Sequence, residues 1–394
     1  MTLWDKGAET DPAVLRFSAG REFELDARLV PWDVLASIAH ARMLGKIGVL
    51  TDDEVRDLRR GLDEISALAA KGEFPIQPEQ EDCHTAIEEW LVANVGEVGK
   101  KIHLGRSRND QVLAALRRYE LEELRGLEKS VRRLGETLRA AAAKHQDVGM
   151  VGYTHVRRAM PTTVGTWLGA FCAALDDDAT LLRSALLLVD RSPLGTGAGY
   201  GIPVFDLDRE LTARLAGFDA VIENPIHAQM TRGKTEAAIL HGLVQVMLTL
   251  NRLATDLILF SSAEFGFVEL PPALCTGSSI MPQKQNPDVL ELIRAKYHVV
   301  RAEEAKVLSL VGNLMTGYQR DLGLTKEPVF TAFDETLGSL AMMTKVVGAI
   351  RVDEAACRAA MTDEIHAVEE ANRLVAEGMS FRDAYRKVAE KFSG

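Results

Sequence analysis

Ile239, Leu243, Val246, Leu250, Leu253, Leu257 and Phe260 recur at steps of three and four residues. That spacing lays one apolar stripe along a helix for about six turns. Leu240, Met247, Ala254 and Ile258 widen the band, so this helix has neighbours on more than one side. A second stripe runs through Leu124, Leu127, Val131, Leu134 and Leu138, and a third through Val164, Leu168, Phe171, Leu175, Leu182, Leu186 and Val189. Helices of about 25–35 residues follow, roughly 40–50 Å long at about 1.5 Å per residue. Compact monomeric domains seldom need that length. The pattern predicts an all-α fold whose central long-helix bundle is the core of an oligomer, with a large self-contained bundle as the alternative.

Strand-like alternation is scarce, and the breaks are short: 72–80, 149–161, 192–206, 270–287 and 317–328. They suggest an N-terminal helical domain over 1–106, a long-helix bundle domain over 107–345 and a short C-terminal helical domain over 346–394. The glycine run from Gly195 to Gly201 lacks the GxGxxG spacing and follows no strand, so it is read as a turn.

With 394 residues, 47% of them hydrophobic, the chain can bury a large core. A net charge of −11 gives no support to nucleic-acid or membrane-surface binding, so an anionic substrate needs a local positive pocket. Cys83, Cys172, Cys275 and Cys357 form no CxxC pair, which suggests neither a disulfide framework nor a zinc site and points to a reducing cytoplasm. Neither a leader nor a long uninterrupted apolar run is evident.

The break at 277–288 carries the most specific chemistry. Gly277, Ser278 and Ser279 free backbone N–H groups to face a ligand, Lys284 adds a positive charge, and Asn286 adds a directional donor. Such a loop suits a carbanion next to a carboxylate. The segment Gly277-Ser278-Ser279-Ile280-Met281-Pro282-Gln283-Lys284-Gln285-Asn286-Pro287 matches every fixed position of the signature loop of the fumarase/aspartase superfamily, which it resembles. The block from Gly99 to Gln111 is basic, amide-rich and placed before a long helix expected to begin near Val112, where arginines and a helix N-terminus attract carboxylates. It is similar to the corresponding block of argininosuccinate lyases. Two more blocks resemble that family: Gly152 to Pro161, with His155 in a loop before a helix, and Glu81 to Glu88, with His84 on a first helical turn. The run Asp288 to Arg294 matches the family too, and includes Glu291.

The resemblance spans about Asp26 to Arg382 and implies a fumarase/aspartase-type fold and a carbon–nitrogen lyase releasing fumarate. It implies Ser278 as the base that takes a C3 proton, with Lys284 and Asn286 stabilising the aci-carboxylate. His155, partnered by Glu291, would assist the departing nitrogen. Ser107, Arg108, Asn109 and Thr154 would hold carboxylates, with His84, Tyr318 and Arg320 also on the substrate. No cofactor or metal is implied, and a homotetramer with shared sites is. Argininosuccinate is the substrate expected first; another N-substituted aspartate, or a non-catalytic crystallin-like role, are the alternatives. Departures bear on the leaving group: Gln285 replaces a usual lysine, residues 229–234 replace a Ser-Asp-Arg-Asp run, Gly323 stands where a glutamine is expected, and the C-terminal region is short.

Overall fold

The computed structural model describes residues 11–392. The fold is all-α, built on long helices: Arg108–Lys144 of 37 residues, Val164–Val189 of 26, Lys234–Phe260 of 27, Asp288–Leu310 of 23 and Lys326–Val347 of 22. The stripes read from the sequence become its core. Ile239, Leu243, Val246, Leu250, Leu253 and Leu257 are fully enclosed, as are Leu124, Leu127, Leu134 and Leu138. Each fully buried leucine of this kind stabilises the fold by about 1.5–3 kcal/mol. The Lys234–Phe260 helix is long and apolar enough to cross a membrane by composition, and half of that apolar window is buried inside the structure. Thr249 on it donates to Asp178 at 2.7 Å, as a core helix polar group does.

Packing groups the described residues into two compact units that interleave along the sequence. Of the described residues, the first comprises 11–127, Leu181–Gly242 and Arg301–Phe333; the second comprises Glu128–Thr180, Leu243–Val300 and 334–392.

Helix starts are set by local caps. Thr51 and Glu54 form a reciprocal capping box that opens Asp52–Ala70. Asp82 accepts from Thr85 N–H at 2.7 Å and so starts Cys83–Val95, with His84 in its first turn. The helix expected to begin near Val112 starts at Arg108 instead. Ser107 Oγ accepts from Asn109 N–H at 3.3 Å and Asp110 accepts from Ser107 N–H at 2.9 Å, a cap that draws the first turn back over Arg108 and Asn109.

Among the described residues there are three two-stranded sheets. The largest corrects the reading of 149–161 as a loop: Gly149–Thr154 and Arg157–Thr163 pair antiparallel, from Gly149 opposite Thr163 to Thr154 opposite Arg157, with a bulge at Gly152/Tyr153. Tyr153 anchors this hairpin in the second unit, with ring centroids 5.6 Å from Phe265 and 6.3 Å from Phe260. Trp167 follows on the next helix, its ring 5.2 Å from Phe260 and its Nε1–H donating to Asp256 at 2.9 Å.

Candidate active site

In the first unit the Cys83–Val95 helix and the turn at 106–111 assemble a cationic cluster. Arg106 is buried and donates to Ser37 Oγ at 2.9 Å. Arg108 donates to Glu88 at 3.0 Å and to Gln111 at 3.4 Å, while Gln111 donates to both oxygens of Asp33 at 3.0 and 3.1 Å. His84, expected on the substrate, is fully buried, with Nδ1 3.3 Å from Asp33. Burial works against the charge on both groups. Their mutual attraction outweighs it, raising His84 above the ordinary histidine range and holding Asp33 at about 2 with help from Arg106 and Gln111.

The neighbouring histidines report the local field. Burial and then Arg106 push His40 down to about 3, and its Nε2 lies 2.7 Å from Leu104 O, consistent with donation to that carbonyl. Burial, Arg106 and Arg108 together push His103 down to about 4. Arg106 and Arg108 thus place positive charge next to Ser107 and Asn109 at the start of the long helix, with Asp33 and Asp110 facing Arg106 and Glu88 paired to Arg108.

Asp110 sits under this turn, enclosed completely, and also accepts from Gly195 and Gly197 N–H at 3.0 and 2.9 Å. Burial pushes it up to about 6 against the opposing pull of those N–H groups and of Arg106. Two other expected residues fall in the same unit. Tyr318 lies beneath buried Arg232, whose guanidinium is 4.8 Å from the ring centroid. Arg320 pairs with Glu22 at 3.5 Å and donates to Ser18 O, so its cation is already engaged.

Asp26, Cys83 and His84 bring three metal-type ligand atoms within 4.8 Å of one another. Lys326 contacts Asp26 there, so a cation of the chain itself already compensates that carboxylate, and Asp33 compensates His84.

The second unit holds the remaining candidates. Thr154 and His155 stand at the tip of the hairpin, both exposed. The turn residues His155 and Val156 have φ of 52° and 57°, the two left-handed positions of a type I′ connection. Among the described residues no hydrogen bond joins His155 to Glu291 or Ser278. Glu291 is exposed in the first turn of Asp288–Leu310.

The loop at 277–285 is closed at its neck. Thr276 N–H donates to Asn286 O at 3.1 Å, Asn286 N–H returns to Thr276 O at 2.8 Å, and Thr276 Oγ1 bonds Asp288. Asn286 Nδ2 also donates to Gly277 O at 3.3 Å. Inside the loop Ser278 Oγ accepts from Ile280 and Met281 N–H at 3.4 and 3.2 Å. Those two donors point at the oxygen that would carry charge if the hydroxyl were ionised. Lys284 is exposed on the same loop.

Asp33 and Asp110 are given no role from sequence, and Arg106 only a share in the positive charge of its block. Arg106 and Asp110 lie inside a motif already singled out, whereas Asp33 lies in the helix Val30–Lys46 with no motif around it.

Comparison with known proteins closes the question of family. A family model described as lyase matches residues 8–302. The chain is 46% identical over 390 residues to the argininosuccinate lyase of Thermotoga neapolitana, covering 99% of this chain and 98% of that one. It is 44% identical to the argininosuccinate lyase of Sorangium cellulosum, covering 99% and 90%. The structure of EDDS lyase in complex with formate superposes with a TM-score of 0.83 at 26% identity, covering 97% of this chain and 76% of that one. The helical architecture, the matched loop and these full-length similarities together place the chain in the argininosuccinate lyase family of carbon–nitrogen lyases, within the fumarase/aspartase superfamily.

Proposed function

We propose that this chain cleaves argininosuccinate reversibly to arginine and fumarate by β-elimination. Ser278, ionised, takes the C3 proton of the succinyl group, and the electron pair moves into the adjacent carboxylate as an aci-carboxylate. Lys284 and Asn286 hold that charge. The C–N bond then breaks, its electrons go to nitrogen, and His155, oriented by Glu291, supplies the proton to the leaving group. Ser107, Arg108, Asn109 and Thr154 hold the carboxylates, with Tyr318 and Arg320 bordering the amino-acid tail. His84, buried against Asp33, acts by orienting the Cys83–Val95 helix.

The observation that carries this reading is the pair of backbone N–H groups on Ser278 Oγ, at 3.4 and 3.2 Å. Serine is a poor base in water. Donors already aimed at its oxygen, with a lysine on the same loop, lower the cost of the alkoxide without reorganisation. The working enzyme is a homotetramer with active sites shared between subunits. Apolar residues left exposed on the long helices, including Leu187, Leu259, Leu292 and Leu308, support that assembly.

A second reading, elimination from another N-substituted aspartate, is favoured by the likeness to EDDS lyase and by Gln285 and Gly323. Purified protein offered argininosuccinate, EDDS, aspartate, malate and adenylosuccinate in turn, with fumarate absorbance as readout, separates the two. Turnover of argininosuccinate is expected. Turnover of EDDS without it would transfer the assignment to the second reading, and no fumarate from any substrate would overturn both.

A further inference from the structure

The glycine turn at 195–201 takes no part in the reaction just described, yet it is tied to the site by one side chain. Gly195 and Gly197 have φ of 83° and 58°, and in this turn their N–H groups, on either side of Thr196, face one concavity. Such a concavity attracts an anion, and here the anion belongs to the chain. Asp110 Oδ2 accepts both N–H groups, at 3.0 and 2.9 Å, while Oδ1 accepts Ser107 N–H at 2.9 Å. All these residues belong to the first unit, and Asp110 has no exposed surface.

The turn is held rigidly from its other side. Arg209 donates to Leu194 O at 3.0 Å and to Ile222 O at 2.5 Å, and Gly201 and Gly199 N–H return to Thr196 O at 2.9 and 3.1 Å. A Cβ on Gly195 would meet Arg209 Cγ at 2.8 Å, and one on Gly197 would meet Gly201 O at 2.9 Å. Only glycine fits at either place.

We propose that Asp110 is a positioning residue: by clasping the glycine turn with one oxygen and Ser107 with the other, it sets where Ser107, Arg108 and Asn109 present themselves to a substrate carboxylate. This rests on the carboxylate-binding role given above to those three residues. It assigns the glycine turn a purpose in substrate recognition, as the fixed frame against which the first helical turn is registered. A carboxylate is required because three N–H groups converge on two oxygens. An asparagine in its place offers one oxygen and turns an NH2 group toward donors.

The test measures KM and kcat for fumarate release by the full-length protein and by Asp110→Asn, Asp110→Ala and Gly197→Ala. A displacement of the carboxylate-binding turn raises KM by roughly tenfold or more in each variant, with kcat changed less. Formate added to Asp110→Ala fills the vacated carboxylate position and recovers part of the lost KM, whereas a residue needed only for folding gives no such recovery. Should Asp110→Asn fail to fold, Gly197→Ala attacks the same contact from the turn and carries the comparison. An active wild type with unchanged KM in the folded variants overturns the inference alone. A wild type that releases no fumarate overturns the reaction and the inference with it.

Discussion

Nδ1 of His84 lies 3.3 Å from Oδ1 of Asp33, and neither side chain has any exposed surface. A buried pair of this kind is costly to break, because removing one partner leaves the other as an uncompensated charge, typically at about 3–5 kcal/mol. Asp33 also receives Gln111, so it links the Cys83–Val95 helix to the turn that bears Arg108.

Asp33→Asn is therefore expected to destabilise the protein strongly, and by an amount that depends on pH. His84 is raised in the folded state, so its contribution is complete below the unfolded histidine pKa and fades as pH climbs through the raised folded value. Asp33 is lowered to about 2, so its contribution persists down to strongly acid pH. Urea unfolding of wild type and variant at pH 6 and again at pH 9 should show the larger difference at pH 6. Equal differences at both would mean His84 is neutral throughout.

The hairpin tip stores strain that can be measured. Val156 is β-branched, 76% exposed and held at φ 57°, where asparagine is tolerated far better. Val156→Asn sacrifices little burial and should raise stability by about 1 kcal/mol, read as a higher urea midpoint with unchanged slope. A lower midpoint would show that the turn is not the constraint at this position.

How much of this was legible beforehand differs between helix and hairpin. The stripe from Ile239 to Phe260 exposes its period directly, because every third or fourth residue is a large aliphatic or aromatic one that ends up enclosed. The hairpin at 149–163 hides its period. Gly152 and Pro161 interrupt the alternation, a bulge shifts it, and His155-Val156 replaces the Asn-Gly pair that usually announces a two-residue turn. Among the candidate residues, Arg108, His155 and Ser278 stand in contiguous blocks that single them out in the sequence. Asp33 reaches His84 from a separate helix, and nothing local to either residue encodes that meeting.

Ser278→Ala addresses the chemistry. General-base catalysis is worth about 10²–10⁴ in rate, and kcat should fall within that range or beyond. Ser278 is only half-buried and receives two long N–H contacts, so stability should move by no more than about 0.5 kcal/mol. Steady-state fumarate release beside thermal unfolding separates the two effects. Full activity in the variant would remove Ser278 from the mechanism and leave the substrate assignment standing.

Gln285 offers a gain-of-function test of the same loop. It neighbours Lys284, and both side chains are exposed on a segment closed by the Thr276–Asn286 bridge. Gln285→Lys adds a second cation where argininosuccinate would bring carboxylates. Exposed charge pairs are worth about 0.5–1 kcal/mol, so KM should fall about two- to fivefold at low ionic strength. At about 1 M salt the screening length shrinks to about 3 Å and the advantage should vanish. Steady-state KM at the two salt concentrations decides the matter. A variant whose KM equals that of wild type at low salt would place position 285 away from the substrate's charge, and the leaving-group preference would then have to be sought around Arg232 and Tyr318 instead.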